Sequence, residues 1–274
     1  MRQVRIDDIG DLQEQFNSLG NSFIYRGHAN SEWSLQSSLE RVLGDRWADA
    51  RTFEDVSLER FKAKFHLYDR ENIAPDSKLA WLAVMQHYGV PTRLLDFTES
   101  PYVALYFALE AYQVTTKKDL AVYALDYSAV MEASISYIRT QDSSFEETRA
   151  TVNTRQDNVF DNTVDRFAYD ILWVTEPRRH NQRLDRQGGC FLIAGNRATR
   201  IEDALKLPRY SKCECIKYTI DASLYLAIFA LLRKMNVTSK SLYGDLDGLA
   251  QSIRMEMQAY SLEMQVKAKQ RAAN

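Results

Sequence analysis

Three short stretches put polar side chains where the surrounding sequence is apolar, and those are the places where chemistry would be housed. The first is YRGH, residues 25–28, in which a guanidinium closes an apolar run. Arg26 offers paired N–H donors that suit a phosphate or a carboxylate. Gly27 allows close backbone approach or a turn. The same arginine would serve equally well as partner to a structural carboxylate, with Asp96 as the candidate.

The second stretch is HYGVPTRLLDFTESPYVALYFAL, residues 87–109. His87 falls in the last turn of an apolar helix, where the helix dipole favours imidazolium. A lone histidine there is more often a hydrogen-bonded core residue than a ligand. Pro91 biases Val90 to extended geometry. Thr92 and Arg93 open the strand that follows, and Asp96 and Thr98 close it. Strand alternation sends Arg93 and Asp96 to opposite faces, so they need different partners. Buried charge is costly unless it is paired or used, so the stretch is a structural ion pair or the floor of a site. Tyr102 and Tyr106 share a helix face at i, i+4, where core packing competes with a binding role.

The third is PRRHNQRLDRQGGCF, residues 177–191. Arg178, Arg179, Arg183 and Arg186 lead into an apolar strand beginning near Gln187, whose amide would sit at a cleft edge. These arginines alone support nucleic-acid processing, and the net charge of −2 opposes that reading. The Gly-rich phosphate loops, the H-E-x-x-H pair and the G-x-S-x-G elbow are all absent.

The elements that must position these residues are legible in outline. Residues 9–20 read as a helix, and residues 22–27 as a strand. Residues 35–44 and 52–68 read as helices, the second with Thr52 as its N-cap and an apolar stripe of Phe53, Val56, Leu58, Phe61 and Phe65. Residues 78–89 form an apolar helix that Asp76 or Ser77 caps and Gly89 ends. Ser100 followed by Pro101 is a strong helix start. Strands follow at 119–127, 169–176, 188–195 and 214–220, and Asp221 caps a later helix. Residues 128–168 read as an inserted helical excursion or lid. Residues 245–272 read as an amphipathic helix with a stripe of Leu249, Ile253, Met257, Tyr260 and Met264. Strands clustered late, without regular alternation with helices, give an α+β class with mixed or antiparallel central sheets flanked by helices, in one domain over 1–274.

Composition narrows the setting. With 274 residues, 45% apolar and 26% charged, the chain has globular composition. The three cysteines make no disulfide framework, and Cys213 and Cys215 read as inert thiols, so no metal is expected. The longest apolar run, at 224–232, is too short to span a bilayer, and the first residues lack an apolar leader core. A soluble, cytoplasmic protein without membrane contact is expected.

Taken together, these blocks resemble the FRG domain family, named for an aromatic-Arg-Gly motif. Tyr25, Arg26 and Gly27 supply that motif, followed by WSLQSSLER at 33–41. QHYGVPTRLLDFTESPYVALYFAL, at 86–109, matches the second family block. Asn181, Arg183, Gln187, Gly189 and Phe191 meet N-x-R-x-x-x-Q-x-G-x-F. SLYGDLDGLAQSI looks like the closing block, with Tyr243 and Gly244 where an aromatic-Pro pair is more usual. The likeness spans about residues 20–255.

The block order is in turn similar to that of ADP-ribosyltransferase folds, which implies NAD as substrate, a small nucleotide ligand and a macromolecular acceptor. By that analogy Arg26 holds an NAD phosphate or ribose, with Tyr25 and Gly27 beside it. Thr92 and Thr98 flank the second strand, Arg93 lies within it, and Tyr102 and Tyr106 line the nicotinamide side. Where transferases often carry a catalytic Glu, the matching strand begins Asp185-Arg186-Gln187. The catalytic set implied is therefore Arg26, Asp96 and Gln187, with His87 and Arg183 among the binding residues. The activity implied is an NAD-consuming transferase or glycohydrolase acting as a toxin or phage-defence effector. The alternative is a non-catalytic module that binds a nucleotide or a partner.

Overall fold

The computed structural model describes residues 1–68, 74–113, 117–177 and 182–273. Arg178, Arg179 and Asn181, singled out above, lie outside the described residues. The strands are β1 (Arg2–Ile6), β2 (Phe23–His28), β3 (Leu95–Thr98), β4 (Leu120–Asp126), β5 (Leu172–Thr175), β6 (Gly189–Ala194) and β7 (Cys215–Ile220). They form one seven-stranded sheet in the order β1-β7-β4-β2-β3-β6-β5. Among the described residues only β1 and β7 pair in parallel, so the class is α+β with a mixed, mainly antiparallel sheet.

The helices are α1 (Ile9–Ser18), α2 (Ser38–Leu43), α3 (Ala50–Phe65), α4 (Lys78–His87), α5 (Pro101–Glu110), α6 (Tyr127–Gln141), α7 (Arg149–Thr154), α8 (Gln156–Val159), α9 (Gln182–Arg186), α10 (Ile201–Leu205), α11 (Tyr225–Lys234), α12 (Ser239–Tyr243) and α13 (Leu246–Ala273). Local chemistry fixes many of their ends. Ser77 accepts from the Ala80 amide and starts α4, and Ser100 accepts from Val103 to start α5 with Pro101 at its first position. Gly89, at φ +80°, ends α4 in the left-handed region that glycine tolerates best. By contrast, α3 starts at Ala50, not at the Thr52 cap, because a 3₁₀ turn at Gly44–Asp49 feeds straight into it.

Alternation sorts the core. On one face, β2, β4 and β7 bury Tyr25, Val122 and Tyr218 against α1, α5 and α11. Farther along that face, β5 and β6 bury Trp173 and Ile193 against α4 and α6. The opposite face packs Ile24, Phe97, Tyr123 and Leu192 under Ile201 and Tyr210. Residues 127–165 are helical except at 142–148 and at Arg155, and include a π-helical turn at Phe160–Asp165. Ile135, Val152 and Phe160 from this segment are buried in the second of these cores.

Of the two apolar stripes expected from the sequence, that of α13 faces outward, and that of α3 faces inward only at Leu58, Phe61 and Phe65. α13 buries Met255 and Ala259, while Ile253, Met257 and Tyr260 are exposed. A second apolar phase on that helix, carried by Met255, Ala259 and Leu262, packs on the body instead. In α3, Phe53 and Val56 are exposed and Glu54 is buried, because Glu54 has a cation to meet inside.

Candidate functional site

β2 and β3 share one paired position, Tyr25 opposite Thr98, and then diverge. Beyond that point β2 continues with β4 and β3 continues with β6, so the sheet forks in its middle. A cavity of about 330 Å³ fills the fork, within the size range of ligand pockets. Its walls come from β2, β3 and β6, from α4 (Gln86, His87), α5 (Phe107, Glu110), the α9 segment (Arg183, Gln187) and α12 (Tyr243).

Gly27 explains how β2 comes so close to α5. A Cβ there would lie 1.8 Å from the Ala104 carbonyl oxygen, so only glycine lets the strand lie on the helix backbone. Arg26 next to it is largely shielded, with an 18% exposed side chain. Its Nε donates to His28 Nε2 at 3.0 Å and its Nη1 to the Asp96 carbonyl at 2.7 Å. Burial lowers the Arg26 pKa, the Asp96 charge opposes that, and Arg41 adds to it. The Asp96 carboxylate is 3.8 Å from Arg26, 62% exposed, and accepts from the Gln86 amide at 2.6 Å. Gln86 in turn accepts from the Thr92 hydroxyl. Thr92 itself is fully buried, and Ser38 bonds both its N–H and its carbonyl.

Gln187 enters the cavity from the turn before β6, not from the strand, which begins at Gly189. The Thr98 hydroxyl donates to its carbonyl at 2.6 Å and fixes the turn against the end of β3. Asp185 and Arg186 are consequently on helix α9 and not on a strand. Arg183 stacks on Tyr243 at 4.4 Å. His87 is exposed at the cavity wall and not a core histidine. Burial lowers its pKa, Arg183 adds to the effect and Asp245 opposes it.

Arg93 is not brought to the cavity. It is buried in an ionic cluster, at 2.9 Å from Glu54 and in a close ion pair with Asp165. Lys78 and Arg197 complete that cluster, at 3.0 Å from Asp165 and from Asp55 respectively. Burial alone would raise the Asp165 pKa, but Arg93, Lys78 and Arg197 outweigh it and hold the carboxyl low. Thr92 and Arg93 do not open the strand, which begins at Leu95, so strand alternation does not relate Arg93 to Asp96; the two still have different partners, Arg93 in the ionic cluster and Asp96 at the cavity. Tyr102 and Tyr106 also turn away. Tyr102 packs edge-on against Phe16, and Tyr106 is buried with its hydroxyl on Glu110.

The α5 face that does reach the cavity is Phe107, Glu110 and Ala111, and Glu110 is the carboxylate that sequence reading missed. Its two oxygens accept from Tyr106 and Tyr243, each at 2.7 Å. The i, i+4 spacing of Tyr106 and Glu110 was visible, but Tyr243 arrives from a helix far along the chain. Burial and the Glu110 charge push the Tyr243 pKa up, so the phenol stays a donor.

Among the described residues, Tyr25, Arg26, Gly27, His87, Asp96, Thr98, Arg183 and Gln187 line one cavity, whereas Thr92, Arg93, Tyr102 and Tyr106 do not. The arrangement offers guanidinium donors at one wall, carboxylates at two others, and aromatic rings between them. It suits a ligand with both an anionic and an aromatic part.

No curated protein and no solved structure matches the chain. Residues 21–117, which carry β2, the α4 to β3 lead-in and α5 and so most of the cavity wall, match the family model of the FRG domain.

Proposed function

We propose that the cavity takes NAD and that the chain cleaves its nicotinamide–ribose bond, as a glycohydrolase or an ADP-ribosyltransferase. What carries this reading is that Arg26, Asp96 and Gln187 line a single cavity together with Glu110. In that reaction the C1′–N bond breaks and its electron pair goes to the nicotinamide nitrogen, which loses its pyridinium charge. The ribosyl carbon, cationic in the transition state, takes the oxygen of water or the nucleophile of a macromolecular acceptor, and one proton is released. Asp96 and Glu110 would stabilise the developing cation electrostatically, while Arg26 holds phosphate or ribose oxygens. Such an activity would suit a toxin or an effector against phage, because it consumes a coenzyme the whole cell shares.

The test is incubation of the pure protein with NAD, following nicotinamide release by chromatography and transfer of label from labelled NAD. Release or transfer that Arg26→Ala abolishes supports the reading. No release and no labelling, with Arg26→Ala indistinguishable from wild type, overturns it. A second reading, a nucleotide-binding module without turnover, is favoured by the neutral Gln187 and by the hold of Gln86 on Asp96. It predicts saturable binding of ADP-ribose with NAD left intact.

A further inference from the structure

A second, smaller chamber of about 110 Å³ lies against the first, and Arg26, Gln86 and Asp96 line both. Its remaining walls include Ser38 and Arg41 from α2 and Gly89 and Val90 after α4. Two guanidiniums therefore face one small space. Arg41 gives one N–H to the Gln36 carbonyl at 2.7 Å and forms no ion pair with any described residue. Arg26 Nη2 donates to no described residue, since Nε and Nη1 take the two bonds given above. Against this positive charge stands Asp96, whose carboxylate is 3.8 Å from Arg26 and already bonded to Gln86. The carbonyls at the end of α4 add little negative charge, because Gly89 and Val90 amides donate to Gln86 and Met85.

We propose that this chamber is an anion subsite in which Arg26 and Arg41 together grip a phosphate of the nucleotide bound in the larger cavity. The proposal rests on the nucleotide reading of that cavity and adds its direction: the base or sugar lies among the aromatic rings, and the phosphate lies through the fork toward α2. Arg26 is the hinge between the two, touching both parts of one ligand. Small conformational freedom is required, since both arginines already line the chamber. A shared phosphate would neutralise two like charges that the protein leaves facing each other.

Calorimetric titration with ADP-ribose and with adenosine, on wild type, Arg41→Ala and Arg41→Glu, tests this. Arg41 is exposed, so both variants should fold, which circular dichroism checks. The expected result is that Arg41→Ala weakens ADP-ribose about tenfold and Arg41→Glu more, with adenosine affinity unchanged. If ADP-ribose binds wild type and both variants equally, the subsite is wrong while the larger cavity keeps its ligand. If wild type binds neither probe, the nucleotide reading falls and the subsite with it.

Discussion

Arg26 donates through Nη1 to the main-chain carbonyl of Asp96 at 2.7 Å, while the Asp96 carboxylate lies 3.8 Å away and faces solvent. The guanidinium thus holds the strand's backbone, while the exposed Asp96 carboxylate is held on one oxygen by the Gln86 amide at 2.6 Å. A partly exposed pair at that distance contributes at most about 1 kcal/mol. Asp96→Asn should therefore shift thermal unfolding by only a few degrees, yet lower NAD turnover about a hundredfold. A scanning calorimeter and a nicotinamide assay separate the two effects, and a large loss of stability with turnover intact would refute the assignment.

Arg93 should behave in the opposite way. Removing its charge leaves Glu54 and Asp165 buried with too few cations, a loss of about 3–5 kcal/mol. Urea unfolding of Arg93→Met should show this, while the folded fraction binds ADP-ribose as wild type does. A stable variant that has lost binding would return Arg93 to the site.

Gly27→Ala is expected to fail more severely than its size suggests. The added methyl would stand 1.8 Å from a backbone oxygen of α5, which has no rotamer to move aside. We expect about 3 kcal/mol or more of destabilisation, read as insoluble protein or an early urea midpoint. A soluble variant with a near-native midpoint would mean that β2 and α5 are farther apart than the structure has them.

His28 gives the fold an acid sensitivity. Burial and the neighbouring Arg26 push its pKa down to about 3, so the native state refuses a proton that the unfolded chain accepts below about pH 6.5. Stability from this residue is complete above about pH 6.5 and falls, by up to about 1.4 kcal/mol per unit, as pH drops toward the lower value. Urea unfolding at several pH values should show a shallower acid slope for His28→Gln. Equal slopes would place the sensitivity in the carboxylates instead.

Glu110 and Tyr243 form the remaining test. Glu110→Gln should leave ADP-ribose affinity within a few fold and reduce nicotinamide release far more, because a neutral amide cannot stabilise a cation. Tyr243→Phe removes one of the two donors to that carboxylate and should have a smaller effect in the same direction. Equal turnover in all three proteins would make Glu110 a strut between α5 and α12.

What could be read from the sequence was local. Ser77, Ser100, Pro101 and Gly89 set helix ends through their own side chains and backbone preferences, and their places agree with the structure. The different partners of Arg93 and Asp96 were foreseen for the wrong reason, since Arg93 precedes β3 and is placed by its counter-ions, not by strand alternation. The parallel edge strand β1 was not legible, because RQVRI has no buried pattern until β7 lies beside it. Nor was the cavity's α5 wall. Tyr102 and Tyr106 are the conspicuous residues, but packing on α1 and α12 decides which way the helix rolls, and it turns Phe107 and Glu110 inward. Glu54 was hidden for a similar reason, its cationic partner lying in another segment.

The charge tally of the buried ionic cluster bears on where the folding unit ends. Glu54, Lys78 and Arg93 fall inside the stretch that matches the FRG domain, but Asp165 and Arg197 fall well beyond it. The same stretch holds β2 and β3, which meet at one residue pair, while their long seams run to β4 and β6 outside it. A fragment cut at the limits of the match would thus carry two strands with almost no shared edge and an arginine without its full complement of counter-charge. The boundary of likeness and the boundary of cooperative stability are different lines on this chain.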